Sequence, residues 1–277
     1  MTTKSLLNGA TRLIGILGDP IAQVKSPITV TQIMQDKGLN VVCVPLHVSV
    51  GRFDQCVRGI GAVQNLDGLI ATVPHKFSMR RLCISVTERA AFLGVANVAR
   101  RDPDGSWHGD MVDGLGFVAA VRAAGCEPQG KRALMAGAGG AGTAIAYALL
   151  DAGVTEIAIH DMDVARRDAL IAQLASRFAG RVRVGSSDPQ GFDMIVNATP
   201  MGMRPDDPLP FDVSRFAPSM FVGDVITVPE VPAMLAAARA VGCLTQTGSA
   251  MSLQVCERMV AFLLETQGGT DSRIRPA

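Results

Sequence analysis

Residues 133–142 of the chain read Ala-Leu-Met-Ala-Gly-Ala-Gly-Gly-Ala-Gly, and this stretch decides the fold. Its first four residues are a short apolar run of the kind that forms a buried strand, and the rest matches the pattern G-x-G-x-x-G. A helix of small residues is predicted over residues 139–150. This order of strand, glycine loop and helix predicts a dinucleotide-binding unit, because glycines let the backbone approach a pyrophosphate and a helix N-terminus attracts anions.

An acidic residue stands where such a unit needs one. Asp161 follows a predicted strand at residues 156–160, about twenty residues beyond the glycine loop, and would meet the ribose hydroxyls of adenosine. The cofactor-binding residues predicted here are Gly137, Gly139, Gly140, Ala141, Gly142 and Asp161. The alternatives are that the glycines only permit tight packing of helix on strand, or that a flavin is bound, since flavin enzymes use the same pattern.

Outside this unit, runs rich in Val and Ile alternate with helical patterns, which predicts an α/β fold. In the first region we predict strands at residues 12–17, 41–48 and 68–73, helices at 26–37, 50–60, 85–93 and 113–125, and a hairpin within 100–109. In the second, further strands are predicted at 182–185, 194–198, 221–225 and near Leu244, with helices at 164–178, 231–240 and 251–265.

These elements predict two domains and a tail. Residues 1–113 are expected to form an α/β substrate-binding and catalytic domain, and residues 114–246 a Rossmann-like, doubly wound nucleotide-binding domain. Residues 247–277 are predicted to form a C-terminal helical segment that packs back on the first domain.

The composition excludes several classes of protein. The 277 residues are 48% hydrophobic and 18% charged, with a formal net charge of +1, so neither nucleic acid nor a membrane is an expected partner. Six scattered cysteines, without a CxxC pair or histidines at zinc spacing, are expected to be free thiols, and no metal site is predicted. No apolar stretch is long enough for a membrane span and the N-terminus lacks a signal sequence, so we expect a cytoplasmic protein.

Five further segments occur in the order found in one family of enzymes. They are Gly18-Asp19-Pro20-Ile21-Ala22 with Lys25-Ser26-Pro27, Thr72-Val73-Pro74-His75-Lys76, Gly94-Val95-Ala96-Asn97, Gly109-Asp110 with Asp113-Gly114-Leu115-Gly116-Phe117, and Asn197-Ala198-Thr199-Pro200-Met201-Gly202-Met203. Together they make the chain resemble the shikimate and quinate dehydrogenases over nearly its whole length.

The resemblance implies a catalytic pair, Lys76 and Asp113. A lysine beside a carboxylate can take the proton that leaves a secondary alcohol during hydride transfer. On its own, Lys76 would instead be a solvated lysine at a helix start, and Asp113 a helix N-cap.

The resemblance also implies binding residues for two ligands. Substrate-binding residues would be Ser26, Thr72, Asn97 and, one position out of register, Gln254; further cofactor-binding residues would be Asn197, Ala198, Thr199, Val225 and Gly248. Ser26 could equally be a helix N-cap before Pro27, and Thr72 and Asn97 could be polar caps at strand ends.

The chain departs from the family mainly in the presumed substrate pocket. Val24 stands for a serine, Gln23 for a histidine, Ile70 for an asparagine, Val98 for a threonine, Met111 and Val112 for Asn-Thr, and Thr227 for a tyrosine. Each lost hydrogen bond to a charged carboxylate removes about 1.5 to 3 kcal/mol of binding free energy, so we expect a changed substrate.

The sequence thus predicts an NAD(P)-dependent oxidoreductase acting on a shikimate- or quinate-like cyclic hydroxy acid, as a monomer or homodimer. The alternatives are a dehydrogenase of another cyclic alcohol or polyol, and a dinucleotide-binding sensor without turnover. We expect NAD rather than NADP, because Asp161 would repel a 2'-phosphate and Met162 replaces the arginine of NADP-using members. Arg166 or Arg167 could reach a phosphate and reverse this preference.

Overall fold

The computed structural model describes residues 7–265. The chain folds into two compact units. One contains the residues up to Val112 and those from Cys256 onward, and the other contains Asp113–Val255. Each unit combines strands with helices, which confirms the predicted α/β class.

The first unit is built on a mixed sheet. Its strands are β1 (Arg12–Gly18), β2 (Val41–His47), β3 (Leu66–Ala71), β4 (Ser85–Val86), β5 (Val98–Arg101) and β6 (Trp107–Asp110), and its helices are α1 (Ser26–Asp36), α2 (Phe53–Ile60), α3 (Lys76–Leu82) and α4 (Glu88–Leu93). Within the described residues the strand order is β2-β1-β3-β5-β6-β4. Strand β1 runs parallel to both neighbours, whereas β5 and β6 form the predicted antiparallel hairpin.

Burial explains why β1 lies inside this sheet. Ile14, Ile16 and Leu17 are at most 1% exposed, as expected for a parallel strand covered on both faces. Leu17 pairs in register with Ala71 of β3, and both belong to one apolar cluster of the unit. The carboxyl ends of β1 and β3 therefore lie side by side, and the loops that follow them share one edge of the sheet.

The second unit contains a parallel sheet. Its strands are β7 (Arg132–Ala136), β8 (Glu156–His160), β9 (Val182–Val184), β10 (Met194–Asn197), β11 (Phe221–Asp224) and β12 (Leu244–Gln246), and its helices are α5 (Asp113–Ala123), α6 (Gly140–Asp151), α7 (Val164–Ala175), α8 (Ala233–Ala240) and the first half of α9 (Gly248–Leu264). Among the residues described, the order β12-β11-β10-β7-β8-β9 is that of a doubly wound nucleotide-binding fold, as predicted.

The second half of α9 packs in the first unit, as the fold prediction required. The Arg100 guanidinium lies 4.8 Å from the centre of the Phe262 ring, and its Nη1 donates to the Phe262 carbonyl oxygen at 3.5 Å. The His108 ring stacks on the same phenylalanine, with 5.7 Å between ring centres. The β5–β6 hairpin thus provides the surface for the end of the helix.

Some predicted elements are wrong in detail. Residues 85–93 are not one helix: Ser85–Val86 pairs with β6, and α4 starts only after Thr87, whose hydroxyl accepts from the Ala90 amide at 3.4 Å. The helix predicted at residues 50–60 begins with a short 3-10 turn. Helix α3 was not predicted, and α9 starts three residues before its predicted start at Met251.

The cysteines are free thiols, as predicted, and five of the six are buried. Within residues 7–265, no group of three or more His, Cys, Asp or Glu side chains could hold a metal ion. In the same part of the chain, no helix has the length and apolar character needed to cross a membrane.

The glycine loop (residues 137–142) is compressed between β10 and α6. Gly137 has φ of +104°, and a Cβ there would lie 2.7 Å from the Ala198 carbonyl oxygen. A Cβ at Gly142 would lie 2.1 Å from the Gly137 carbonyl oxygen, far inside contact distance. Only glycine allows this approach of loop to helix.

We therefore expect Gly142→Ala to reduce the free energy of unfolding by about 3 kcal/mol, because the methyl group would meet main-chain atoms that cannot rotate away. Gly140→Ala is the matched control, since nothing lies within 4 Å of a Cβ at that position. Urea unfolding of the ligand-free protein measures both. Equal stability of the two variants would show that the loop does not need this close packing.

Candidate functional site

A cavity of about 570 Å³ lies in the second unit, at the carboxyl ends of β7, β8 and β10. It is lined by Ala136, Gly137, Gly139, His160, Asp161, Met162, Arg166, Ser187, Ala198, Thr199, Pro200, Met201, Pro208, Leu209 and Pro210. In a doubly wound sheet this is the switch point, where the strand order reverses between the neighbours β7 and β10. It is the usual place for a bound nucleotide.

Two glycines of the loop face open space in which a ligand could bind. Gly139 is the N-cap of α6 and Gly140 its first residue, and a Cβ at either would have nothing within 4 Å. Ala141 follows in the first turn and is half-buried. The first amides of α6 are thus accessible, as binding of a pyrophosphate at a helix N-terminus requires.

Asp161 lies in the cavity wall, but its carboxylate is engaged by the chain itself. Its Oδ2 accepts from the Ala138 amide at 2.7 Å, and its Oδ1 accepts from the Asp163 amide and from Arg166 Nη2, each at 2.8 Å. Burial raises the pKa of Asp161, but the hydrogen bonds from Arg166 and the two amides outweigh it, so the pKa lies below the ordinary value. The side chain therefore ties the glycine loop to the start of α7.

Arg166 and Arg167, the two possible phosphate ligands, differ in position. Arg166 lines the cavity and pairs with Asp161, whereas Arg167 pairs with its neighbour Asp168 at 2.8 Å and is not among the lining residues. Met162 is 80% exposed at the cavity rim.

The loop after β10 (residues 197–203, the Asn197 loop) is shaped by a fully buried amide. Asn197 Oδ1 accepts from the Thr199 amide at 3.0 Å and the Thr199 hydroxyl at 2.6 Å. Its Nδ2 donates to the Met201 carbonyl oxygen at 3.0 Å and to Asp224 Oδ2 at 3.1 Å. Asn197 thus holds the loop from behind, while Ala198 and Thr199 line the cavity.

Other predicted binding residues are absent from the cavity wall: Val225, Gly248 and Gln254, and in the glycine loop Gly140, Ala141 and Gly142. The Val225 amide donates to the Asn197 carbonyl oxygen at 3.2 Å, and Gly248, the first residue of α9, lies against the backbone of Val225 and Ile226. Gln254 is half-buried on α9. Val225 thus holds Asn197 from the residue after β11, and Gly248 lies behind Val225 at the start of α9.

Several lining residues were not predicted. They are His160, Ser187, Pro208, Leu209 and Pro210. His160 ends β8, directly before Asp161, so its place next to the cavity could have been predicted from the strand boundary. The Pro-Leu-Pro stretch is distant in sequence from the glycine loop and carries no local pattern that points to it.

Backbone hydrogen bonds bring two predicted substrate-binding residues and the predicted catalytic lysine together in the first unit. The Ala71 amide donates to the Asn97 carbonyl oxygen at 2.9 Å, and the Ala96 amide donates to the Lys76 carbonyl oxygen at 3.1 Å. The Thr72 amide donates to the Leu17 carbonyl oxygen at 2.9 Å. Thr72, Lys76 and Asn97 therefore meet at the carboxyl edge formed by β1 and β3.

The segment leading into Asp113 is anchored on both sides. The buried Asn97 Oδ1 accepts from the Val112 amide at 3.0 Å. The fully buried Asp110 carboxylate accepts from the Met111 amide at 2.7 Å and pairs with Arg89 and the Thr87 hydroxyl. Asn97 is thus more than a strand cap, because it fixes the residue immediately before Asp113.

The capping alternative for Ser26 is wrong. Lys25 is the N-cap of α1, its side chain makes no capping hydrogen bond, and Ser26 is the first helical residue, because Pro27 fits the first turn. Asp113 is likewise the first residue of α5 and is 7% exposed. Lys76 opens α3 and is half-buried, so it is not a fully solvated lysine.

Comparison with known proteins identifies relatives of the whole chain. The model of the shikimate dehydrogenase substrate binding domain matches residues 16–99. A shikimate dehydrogenase (NADP(+)) of Rubrobacter xylanophilus is 38% identical over 253 residues, which cover 89% of this chain and 88% of the relative.

Solved structures agree over a similar length. The 5-ketofructose reductase of Gluconobacter sp. strain CHM43 is 28% identical, with a TM-score of 0.85 and coverage of 92% of this chain and 93% of that one. The quinate dehydrogenase of Corynebacterium glutamicum, solved in complex with NAD, is 28% identical, with a TM-score of 0.82 over 91% and 93%.

The glycine loop, the switch-point cavity, the polar edge around Lys76 and the relatives that match nearly the full length lead to one conclusion: the chain belongs to the shikimate dehydrogenase family.

Proposed function

We propose that the protein is an NAD(P)-dependent oxidoreductase that interconverts a secondary alcohol and a ketone on a cyclic hydroxy acid related to shikimate or quinate. The observation that carries this proposal is the cavity between the glycine loop and the Asn197 loop, at the switch point of a doubly wound sheet. The residues present fit a nicotinamide dinucleotide, since helix amides are open to a pyrophosphate and an acidic residue lies at the end of β8. When bound, that cofactor would accept or supply the hydride.

The chain's own part in the reaction is to move a proton and orient the alcohol. During oxidation the hydroxyl proton would pass to the amine of Lys76, and during reduction the Lys76 ammonium would return it to the forming alkoxide. Asp113 would keep the lysine oriented and stabilise its charged form. The hydroxyls of Ser26 and Thr72 would donate or accept hydrogen bonds at the remaining ring hydroxyls, and the amide nitrogen of Asn97 would donate to them.

Lys76→Ala should lower kcat by about 10² to 10⁴, because general acid–base help is lost, while dinucleotide binding stays nearly unchanged. Asp113→Asn should cause a similar or smaller loss. The matched control is Lys37→Ala, at an exposed lysine just after α1. Steady-state rates and NADH fluorescence titrations measure the two effects, and a Lys76→Ala enzyme with the wild-type kcat would refute the mechanism.

For the cofactor we propose NAD in preference to NADP. The relative from Rubrobacter xylanophilus is named for NADP(+), whereas the quinate dehydrogenase structure holds NAD. In this chain an ionised carboxylate, Asp161, borders the cavity, and an exposed methionine follows it. Two like charges about 4 Å apart repel by about 4 kcal/mol at an effective dielectric constant of 20. Pairing with Arg166 offsets part of this, and half of it still exceeds a tenfold difference in affinity.

The ratio of kcat/KM for NAD to that for NADP should therefore be at least about 10. Asp161→Asn should bring the ratio closer to one, and using a ratio cancels any general loss of activity. Asp168→Asn, on the exposed side of α7, should leave it unchanged. An equal or higher kcat/KM with NADP in the wild-type enzyme would overturn the role given to Asp161.

A second candidate substrate is an uncharged polyol or ketose. Ile70, Met111 and Val112 are each 1% exposed and offer no hydrogen-bonding group, and Val24 has no hydroxyl to donate to a carboxylate. The similar structure from Gluconobacter is a 5-ketofructose reductase, named for a ketose. A pocket that has lost donors for a carboxylate favours a ligand without one.

We expect the wild-type enzyme to turn over shikimate poorly, and Val24→Ser to improve kcat/KM by at most about 1.5 to 3 kcal/mol in transition-state free energy. Val63→Ser, at a valine that is 38% exposed, is the control substitution. The measurement is kcat/KM for shikimate, quinate and uncharged polyols, each assayed with the same cofactor. Efficient use of shikimate by the wild type would contradict the inference from Val24.

A further inference from the structure

Asp224, at the end of β11, is a buried carboxylate with no part in the proposed chemistry. It is 0% exposed. Its Oδ1 accepts from the Ile226 amide at 2.8 Å, and its Oδ2 accepts from Asn197 Nδ2 at 3.1 Å. The Gln246 side-chain amide on β12 donates to the Asp224 carbonyl oxygen at 3.2 Å, so the backbone is also held.

The orientation of the Asn197 amide requires an acceptor at position 224. Asn197 Oδ1 faces the Thr199 amide, a main-chain donor, so the NH2 group must be the end that faces Asp224. Ile226 presents a second main-chain donor to the other carboxylate oxygen. Both oxygens of Asp224 must therefore accept hydrogen bonds. The ionised carboxylate does so at both oxygens, whereas a protonated carboxyl group would place its own proton against one of the two donors.

We infer that Asp224 is a positioning residue for the dinucleotide site, acting through Asn197 to hold the loop that lines the cavity. This inference rests on the proposed function. Four consecutive residues of the Asn197 loop, from Ala198 to Met201, line the cavity, and the Met201 carbonyl oxygen shares the Asn197 amide with Asp224. Loss of the acceptor would turn that amide and move the cavity wall.

The ionisation of Asp224 provides the test, because a purely structural role would not make dinucleotide binding depend on pH. Burial raises its pKa to about 6, against the hydrogen bonds from Ile226, Asn197 and Val225. Its neighbours on β10 and β12 are uncharged amides, and no charged side chain within residues 7–265 contributes to the shift. If only the ionised form holds the loop, the apparent Kd should rise about tenfold between pH 8 and pH 5.

Other ionisable groups at the cavity do not imitate this dependence. Asp161 stays ionised over the same range, because its pKa lies below the ordinary value, and the Arg166 guanidinium stays charged. His160 also lines the cavity, so the titration is repeated with His160→Gln, which carries no titratable side chain at that position.

The experiment is titration of NADH fluorescence from pH 5 to pH 8 for the wild type, Asp224→Asn and Asp193→Asn. Asp193 immediately precedes β10, and its carboxylate accepts from the Arg132 amide at 2.8 Å at the opposite edge of the sheet. We expect Asp224→Asn to raise Kd at pH 8 at least about tenfold and to abolish the pH dependence, whereas Asp193→Asn should behave like the wild type.

The outcomes separate the two claims. A wild-type protein that binds no dinucleotide at pH 8 contradicts the proposed function itself. If the wild type binds the dinucleotide, but Kd does not rise toward pH 5 in either the wild type or His160→Gln, the inference about Asp224 is overturned and the proposed function is not. If Asp224→Asn fails to fold, Asn197→Ala decides, because it removes the amide through which Asp224 acts. The rise in Kd toward pH 5 should then be lost, and a Kd that still rises about tenfold would overturn the inference.

Discussion

The second unit depends on how closely main-chain atoms approach one another around the glycine loop. A side chain at Gly137 would meet Ala198 on the β10 side, and one at Gly142 would meet Gly137 itself. Because both positions lack a Cβ, α6 starts directly behind β7 with its first amides facing the switch point. The glycine loop forms one wall of the cavity, and Ala198 and Asp161, which line it too, lie against the same backbone.

Two buried carboxylates then fix those loops, and their surroundings give them opposite properties. Asp161 is stabilised as an anion by Arg166 and two amides, whereas burial raises the pKa of Asp224 from 3.8 to about 6. A raised pKa in the folded state means that stability falls as the pH rises through the interval from about 4 to 6, by about 3 kcal/mol. Asp224 thus makes the fold less stable at neutral pH while it orients the cavity wall, a compromise typical of functional sites.

The sequence predicted the parts of this architecture that depend on local patterns. Strand β8 was placed at its observed limits, since a short apolar run there ends at a polar boundary, and the glycine loop was recognised from its own residues. Side-chain partners distant in the chain could not be predicted. The pairing of Ser85–Val86 with β6, the engagement of Asp161 by Ala138, and the link between Asn197 and Asp224 all depend on tertiary contacts. The alternative that Ser26 caps a helix was wrong, because a serine before proline has the same sequence pattern whether it caps a helix or opens one.

The central claim is hydride transfer between a nicotinamide cofactor and a ketone or alcohol carbon. It is tested most directly with NADH or NADPH deuterated at the transferable position of C4, incubated with the ketone forms of shikimate and quinate and with 5-ketofructose. Mass spectrometry of the products should find one deuterium on the newly formed carbinol carbon of at least one of them, and at least about 10²-fold less of it in the same time with Lys76→Ala. Retention of all the deuterium by the bound cofactor with every ketone would contradict the account.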